Sequence, residues 1–192
     1  MLSVYVGLVH FPVLGKKGET ITTSVTNLDI HDIARSCRTF GVKKYFIITP
    51  LKIQQDLVQR ILSHWKKDVS GIYNPDRQNA LADAVVIDSV ELAQQDVFQN
   101  EQTPVKIVVT GARFNSSMTV NQMMQSVSVD KGAILLLFGT GHGLEKTVVD
   151  SADYALAPIL GNAHDGYNHL SVRSAAAIYL NQISEWQKLQ ET

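Results

Sequence analysis

The chain has 192 residues, 45% hydrophobic and 18% charged, with 17 Lys and Arg against 18 Asp and Glu for a formal charge of −1. That composition fits a globular domain with a full core and excludes disordered and collagen-like chains. A single cysteine rules out an intrachain disulfide and no apolar run reaches the eighteen or so residues of a membrane span, so the cytoplasm is the expected compartment.

In chain order, the first strand is expected over 2–10. Its Val4-Tyr5-Val6-Gly7-Leu8-Val9 lacks the basic leader of a signal-peptide core. An irregular stretch covers 11–26. A helix over 28–40 follows, with Asn27 as its N-cap and Gly41 as its stop. Next come a strand over 44–49, a helix over 52–67 and a second irregular stretch, 70–82, holding Asn74-Pro75-Asp76. A strand over 84–87 leads to a helix over 89–99 capped by Ser89, then to a strand over 105–110 and a helix over 119–128. The chain closes with a strand over 133–138, a short helix over 144–151, a strand over 154–157 and a long helix over 170–189. Strand and helix alternate throughout, with no internal repeat or linker. This predicts one α/β domain over 1–192, a mostly parallel sheet with helices on both faces.

Charge is unevenly spread. Residues 1–80 carry 11 Lys and Arg against 6 Asp and Glu, whereas 81–192 carry 6 against 12. A basic amino-terminal half is suited to facing phosphates, and equally to forming solvated helix faces.

Six of the 12 glycines lie between Gly132 and Gly166. The apolar run Ile134-Leu135-Leu136-Leu137-Phe138 ends at Gly139-Thr140-Gly141-His142-Gly143. Glycines at a strand end let a ligand touch backbone N–H and C=O groups. Ligands of parallel sheets sit beyond the carboxyl ends of the strands, and Gly111, Gly139 and Pro158 mark three such ends that can line one pocket. The GxGxG pattern is one residue short of the dinucleotide fingerprint, and no acidic residue ends the next strand to hold a ribose. There is no phosphate-binding Gly-Lys-Ser/Thr and no GxSxG elbow. His142, His164, Asp165 and His169 match no usual ligand spacing, so no metal is expected. Cys37 falls mid-helix and reads as packed rather than nucleophilic.

Two separated segments together resemble the SPOUT superfamily of S-adenosylmethionine-dependent RNA methyltransferases. Asp29-Ile30-His31-Asp32-Ile33-Ala34-Arg35, running on to Gly41-Val42, is similar to its first motif. Leu137 to Leu144, then Ala157-Pro158-Ile159-Leu160-Gly161, then Tyr167-Asn168-His169-Leu170-Ser171-Val172-Arg173-Ser174 are similar to its second and third. The likeness covers nearly the whole chain. It implies a deep C-terminal trefoil knot, against the general avoidance of knots, and S-adenosyl-L-methionine as cofactor. By position, the resemblance places the cofactor against Leu137, Phe138, Gly139, Gly141 and Gly143 on one side. Ile159, Leu160, Gly161 and Leu170 lie on the other, with Thr110 and Gly111 at the neighbouring strand end.

The resemblance also implies that the partner is RNA, either tRNA or rRNA, and that the active protein is a homodimer. Methyl transfer needs an aligned acceptor and removal of its proton. Arg35 stands at the position of the arginine that 2′-O-methylating members use at the acceptor. Tyr167-Asn168-His169 replaces their Ser-Leu-Asn, which keeps a base nitrogen open beside the ribose 2′-O as acceptor. His169, Asp165 and Asn168 are the further catalytic candidates. Arg113 is suited to binding phosphate or to pairing with an acid. The stripe Leu180, Ile183, Trp186 and Leu189 on the final helix suits a subunit interface or ordinary core packing. The competing reading is a non-catalytic module that binds S-adenosylmethionine or RNA.

Overall fold

The computed structural model describes residues 2–66, 74–114, 117–130 and 132–190. Among these, six strands form one all-parallel sheet: β1 (Ser3–Val9), β4 (Lys44–Ile48), β5 (Ala84–Ile87), β6 (Val105–Val109), β7 (Ala133–Gly139) and β8 (Tyr154–Ala155). The spatial order is β5-β4-β1-β7-β6-β8. β2 (Val13–Leu14) and β3 (Thr20–Ile21) form a separate antiparallel hairpin within the stretch expected to be irregular.

The helices are α1 (Asn27–Thr39), α2 (Lys52–Lys66), α3 (Pro75–Leu81), α4 (Val90–Glu101), α5 (Val120–Asp130), α6 (Lys146–Asp150) and α7 (Val172–Leu189). They cover both faces of the sheet. Alternate residues of β1 and β7, among them Val6, Leu8, Leu136 and Phe138, pack with α1, α2, α5 and α7. Their neighbours Tyr5, Val9, Leu135 and Leu137 pack with α4 and α6. This two-sided burial is why β7 reads as an unbroken apolar run: every residue from Ala133 to Phe138 is buried. Gly7 fits between β4 and β7 because a Cβ there would lie 2.7 Å from Leu137 Cδ2 and 3.0 Å from Ile48 Cδ1.

Two local expectations are corrected. α1 is capped by Thr26, in extended conformation with its hydroxyl accepting from Asp29 N at 3.2 Å, and Asn27 is already helical. Gly41 ends that helix at φ +71°, as its residue type predicts. The 70–82 stretch contains α3. Asn74, whose side chain accepts from Arg77 N, and Pro75 start this helix, because Pro is preorganised for the first helical position. Residues 67–73 lie outside the described ones. Of the stripe on α7, Leu180 and Ile183 are buried and Trp186 packs on the same core, as core packing predicts, while Leu189 is exposed.

Candidate functional site

The carboxyl ends of β7, β6 and β8 are laced together. Thr110, buried, donates both its N–H and its hydroxyl to Leu137 O, at 3.1 and 3.0 Å. Leu156 N donates to Val109 O, Met118 N to Ala155 O and Ala157 N to Met118 O, all within 2.9 Å. Tyr179 on α7 reaches Ala157 O through its hydroxyl at 2.8 Å. The three strand ends picked out in the sequence therefore do meet. The side chains of Leu137 and Phe138 are buried in the two cores, so both residues turn only main chain toward this edge.

The glycines have two different causes. A Cβ on Gly139 would lie 2.6 Å from Leu144 N, and one on Gly141, at φ +59°, would lie 2.9 Å from Leu14 O. Both are required by the protein's own backbone, which the β2–β3 hairpin pins by hydrogen bonds from His142 N to Leu14 O and from Leu14 N to Gly143 O. Open space lies instead at Gly143, where nothing stands within 4 Å of a Cβ position, and at Gly161, whose nearest neighbours are 3.8 Å away. At Gly111 the space is filled by the Phe114 ring, 2.9 Å from a Cβ position.

The segment 157–171 faces solvent. Ile159 rests on the core, while Leu160 is 78% and Leu170 49% exposed. Among the described residues, the peptide groups of Leu160 and Leu170 make no hydrogen bond. Asn168 Oδ1 accepts from Gly161 N at 3.1 Å, which ties the two arms of the segment together and commits that oxygen to holding the loop. Asp165 Oδ1 accepts from Tyr167 N at 3.0 Å. His169 is exposed, its ring edge-on to Tyr167 with centroids 5.4 Å apart. Arg113 is exposed and has no carboxylate partner among the described residues.

Two further groups of polar residues escaped the sequence reading. His10, fully buried at the end of β1, meets Thr23 Oγ1 through Nδ1 at 3.1 Å, and Thr23 meets Thr140 Oγ1 at 2.5 Å. Thr140 donates its proton to Val9 O at 2.9 Å. The chain of donors then runs from His10 Nδ1 to Thr23 to Thr140, leaving Nε2 as a buried acceptor with no partner among the described residues. Burial lowers the His10 pKa to about 4, against the opposing pull of the Asp29 charge, so the ring is neutral. The second group centres on Asp29. Its Oδ1 accepts from Arg173 Nη1 at 2.6 Å and its Oδ2 from the Thr26 hydroxyl at 2.6 Å, and Arg173 Nε also lies 3.5 Å from Asp32. The first turns of α1 and α7 are thereby joined beside the 157–171 segment. The only sequence signal was Asp29 and Asp32 in the first turns of α1.

Arg35 is exposed, one turn beyond His31 and Asp32, and lines a groove of about 610 Å³ between α1, α2 and α3. No described contact joins it to His169. The Cys37 thiol is pushed up in pKa by burial, in keeping with a packing role. Among the described residues no three His, Cys, Asp or Glu side chains gather, and no helix is long and apolar enough to cross a membrane.

Residues 3–185 match the family model described as SAM-dependent RNA methyltransferase. The chain is 40% identical over 181 residues to a tRNA (guanine-N(1)-)-methyltransferase of Oleidesulfovibrio alaskensis, covering 94% of the chain but only 42% of that relative. It is 32% identical over 182 residues to an uncharacterized protein of Aquifex aeolicus, covering 94% of the chain and 88% of that protein. The fold matches that of the SpoU methyltransferase AviRb from Streptomyces viridochromogenes, solved in complex with AdoMet, with a TM-score of 0.60 and 16% identity. That match covers 97% of the chain and 58% of the other.

Proposed function

The chain belongs to the family of SAM-dependent RNA methyltransferases, and we propose that it methylates a nucleoside of tRNA, holding S-adenosylmethionine between residues 137–143 and 159–170. The observations that carry this reading are the clear space at the Cβ positions of Gly143 and Gly161 and the exposed Leu160 and Leu170, whose peptide groups make no hydrogen bond among the described residues. An adenosyl group has flat apolar faces and polar edges, and this arc offers the matching combination. Bound there, the cofactor would supply a sulfonium-borne methyl group for in-line transfer.

In this reading the backbone of Leu137 to Gly143, with Ile159, Leu160, Gly161 and Leu170, holds the adenosyl moiety. Thr110 and Gly111 close the neighbouring strand end. His169, with Asp165 beside the same opening, takes the proton from the acceptor, and Arg35 orients the acceptor nucleotide. Asn168 acts by fixing Gly161 rather than by touching the substrate. The name of the Oleidesulfovibrio relative points to tRNA, but it describes a protein of which this chain spans 42%, so the acceptor atom is left to experiment. The reading includes the C-terminal trefoil knot of the superfamily, supported by the return of α7 over α1 and α5 after the edge strand β8. It includes a homodimer, supported by the exposed apolar side chains of Leu28, Leu160 and Leu170, and a cytoplasmic setting.

Mass spectrometry of tRNA nucleosides from a deletion strain tests the proposal. Loss of one methylated nucleoside, restored by the purified protein and S-adenosylmethionine, is the expected result and identifies the acceptor atom. An unchanged profile together with tight S-adenosylhomocysteine binding would leave only a cofactor-binding module.

A further inference from the structure

The excess positive charge of the amino-terminal half is not spread evenly over its helices. Arg35 from α1, Arg60 from α2 and Arg77 from α3 converge on one groove, and among the described residues none of the three has a carboxylate partner. Asp32, the one acid among the described residues of the lining, is drawn toward Arg173 at 3.5 Å. Trp65 forms the floor. Its ring is anchored against the core, and Arg77 Cζ stacks over it at 4.9 Å. His31 and His64 meet the same ring edge-on, with centroids at 5.7 and 5.3 Å.

A guanidinium stacked on an indole keeps its N–H donors free in the ring plane, held in a fixed fork that suits two oxygens of one phosphate. Like charges brought together without an anion cost free energy, and an incoming polyanion relieves that cost. His31 senses the same field. Burial lowers its pKa first, the Arg77 and Arg35 charges lower it further, and only Asp32 opposes them. Its Nδ1 is buried with no hydrogen-bond partner among the described residues.

We propose that this groove, built on Arg60, Trp65 and Arg77, is the track that grips the phosphate backbone of the RNA substrate and leads it to Arg35. The track runs into the candidate site because Asp32 lines the groove while also facing Arg173, at the start of the helix that follows the 157–171 segment. This rests on the RNA methyltransferase reading and adds the surface that holds the substrate. Arg60 and Arg77 act on binding across sequences rather than on the methyl transfer itself.

The test is fluorescence anisotropy of labelled tRNA with the full chain, over a range of salt concentrations, for the parent and for the double variant Arg60→Ala/Arg77→Ala. Each lost phosphate contact is expected to lower the slope of log K against log salt by about 1, with affinity falling roughly tenfold or more. The Arg60→Lys/Arg77→Lys variant keeps the charge and retains most of the slope. Calorimetry with S-adenosylhomocysteine should give the same affinity in all three proteins, showing that the fold and the cofactor site are intact. Unchanged RNA affinity and slope in the alanine variant overturns the proposal and leaves the groove to another occupant, such as an acidic protein. Failure of the parent to bind tRNA at all would instead overturn the function on which the proposal rests.

Discussion

Arg173 and Asp29 are 144 positions apart in the chain, yet their Nη1 and Oδ1 atoms lie 2.6 Å apart and fasten the start of the last helix to the start of the first. The Asp29 side chain is 8% exposed and that of Arg173 32%, so the carboxylate is the desolvated partner. Replacing Arg173 with Met leaves a buried charge supported only by the Thr26 hydroxyl. The expected loss is about 2 kcal/mol, discounted for the partly exposed guanidinium and measured by urea unfolding. An unchanged midpoint would mean that solvent replaces the arginine at no cost.

Gly139→Ala and Gly161→Ala separate the two kinds of glycine. At Gly139 the added methyl meets backbone at 2.6 Å, so stability should fall by about 2 kcal/mol. At Gly161 the methyl has ordinary contacts at 3.8 Å, so the melting temperature should move by no more than about 2 °C. If the cofactor lies on that open backbone, affinity for S-adenosylhomocysteine should drop roughly tenfold in the Gly161 variant despite its intact fold. Calorimetry showing wild-type affinity would remove Gly161 from the site.

His10 predicts a pH dependence of stability. Its pKa is about 4 in the fold against an ordinary 6.5, so between these values the unfolded chain binds the proton and the folded one does not. The contribution is full above pH 6.5 and is lost as the pH falls toward 4, amounting to roughly 3 kcal/mol. His10→Asn keeps a donor toward Thr23 and removes the titration. Subtracting its unfolding free energies from those of the parent should give a difference that changes across this window, and a flat difference would refute the assignment.

For the chemistry, His169→Ala should lower kcat by about two to four orders of magnitude, with cofactor affinity unchanged. His164→Ala, in the same exposed segment, serves as the control. Equal losses in both variants would point to a damaged loop rather than to a proton acceptor.

The alternation of apolar runs with helical spacing specified the parallel sheet and its two helical layers, because a strand buried on both faces must be apolar along its whole length, as β7 is. The glycines of 139–143 and the order of the three motifs pointed to the candidate cofactor site, since both are local properties of the chain. Turn chemistry was ambiguous where two residues of similar capping strength stood together, as at Thr26-Asn27, or where Asn-Pro serves a turn and a helix start equally, as at 74–75. The tertiary structure alone decided that Gly139 and Gly141 answer to the protein's own backbone, that His10 bonds through Thr23 to Thr140, and that Arg35, Arg60 and Arg77 share one groove. Those relationships join residues from separate elements. Periodicity reports which face of an element is buried, whereas the identity of the neighbour across that face depends on how the strands order themselves in the sheet.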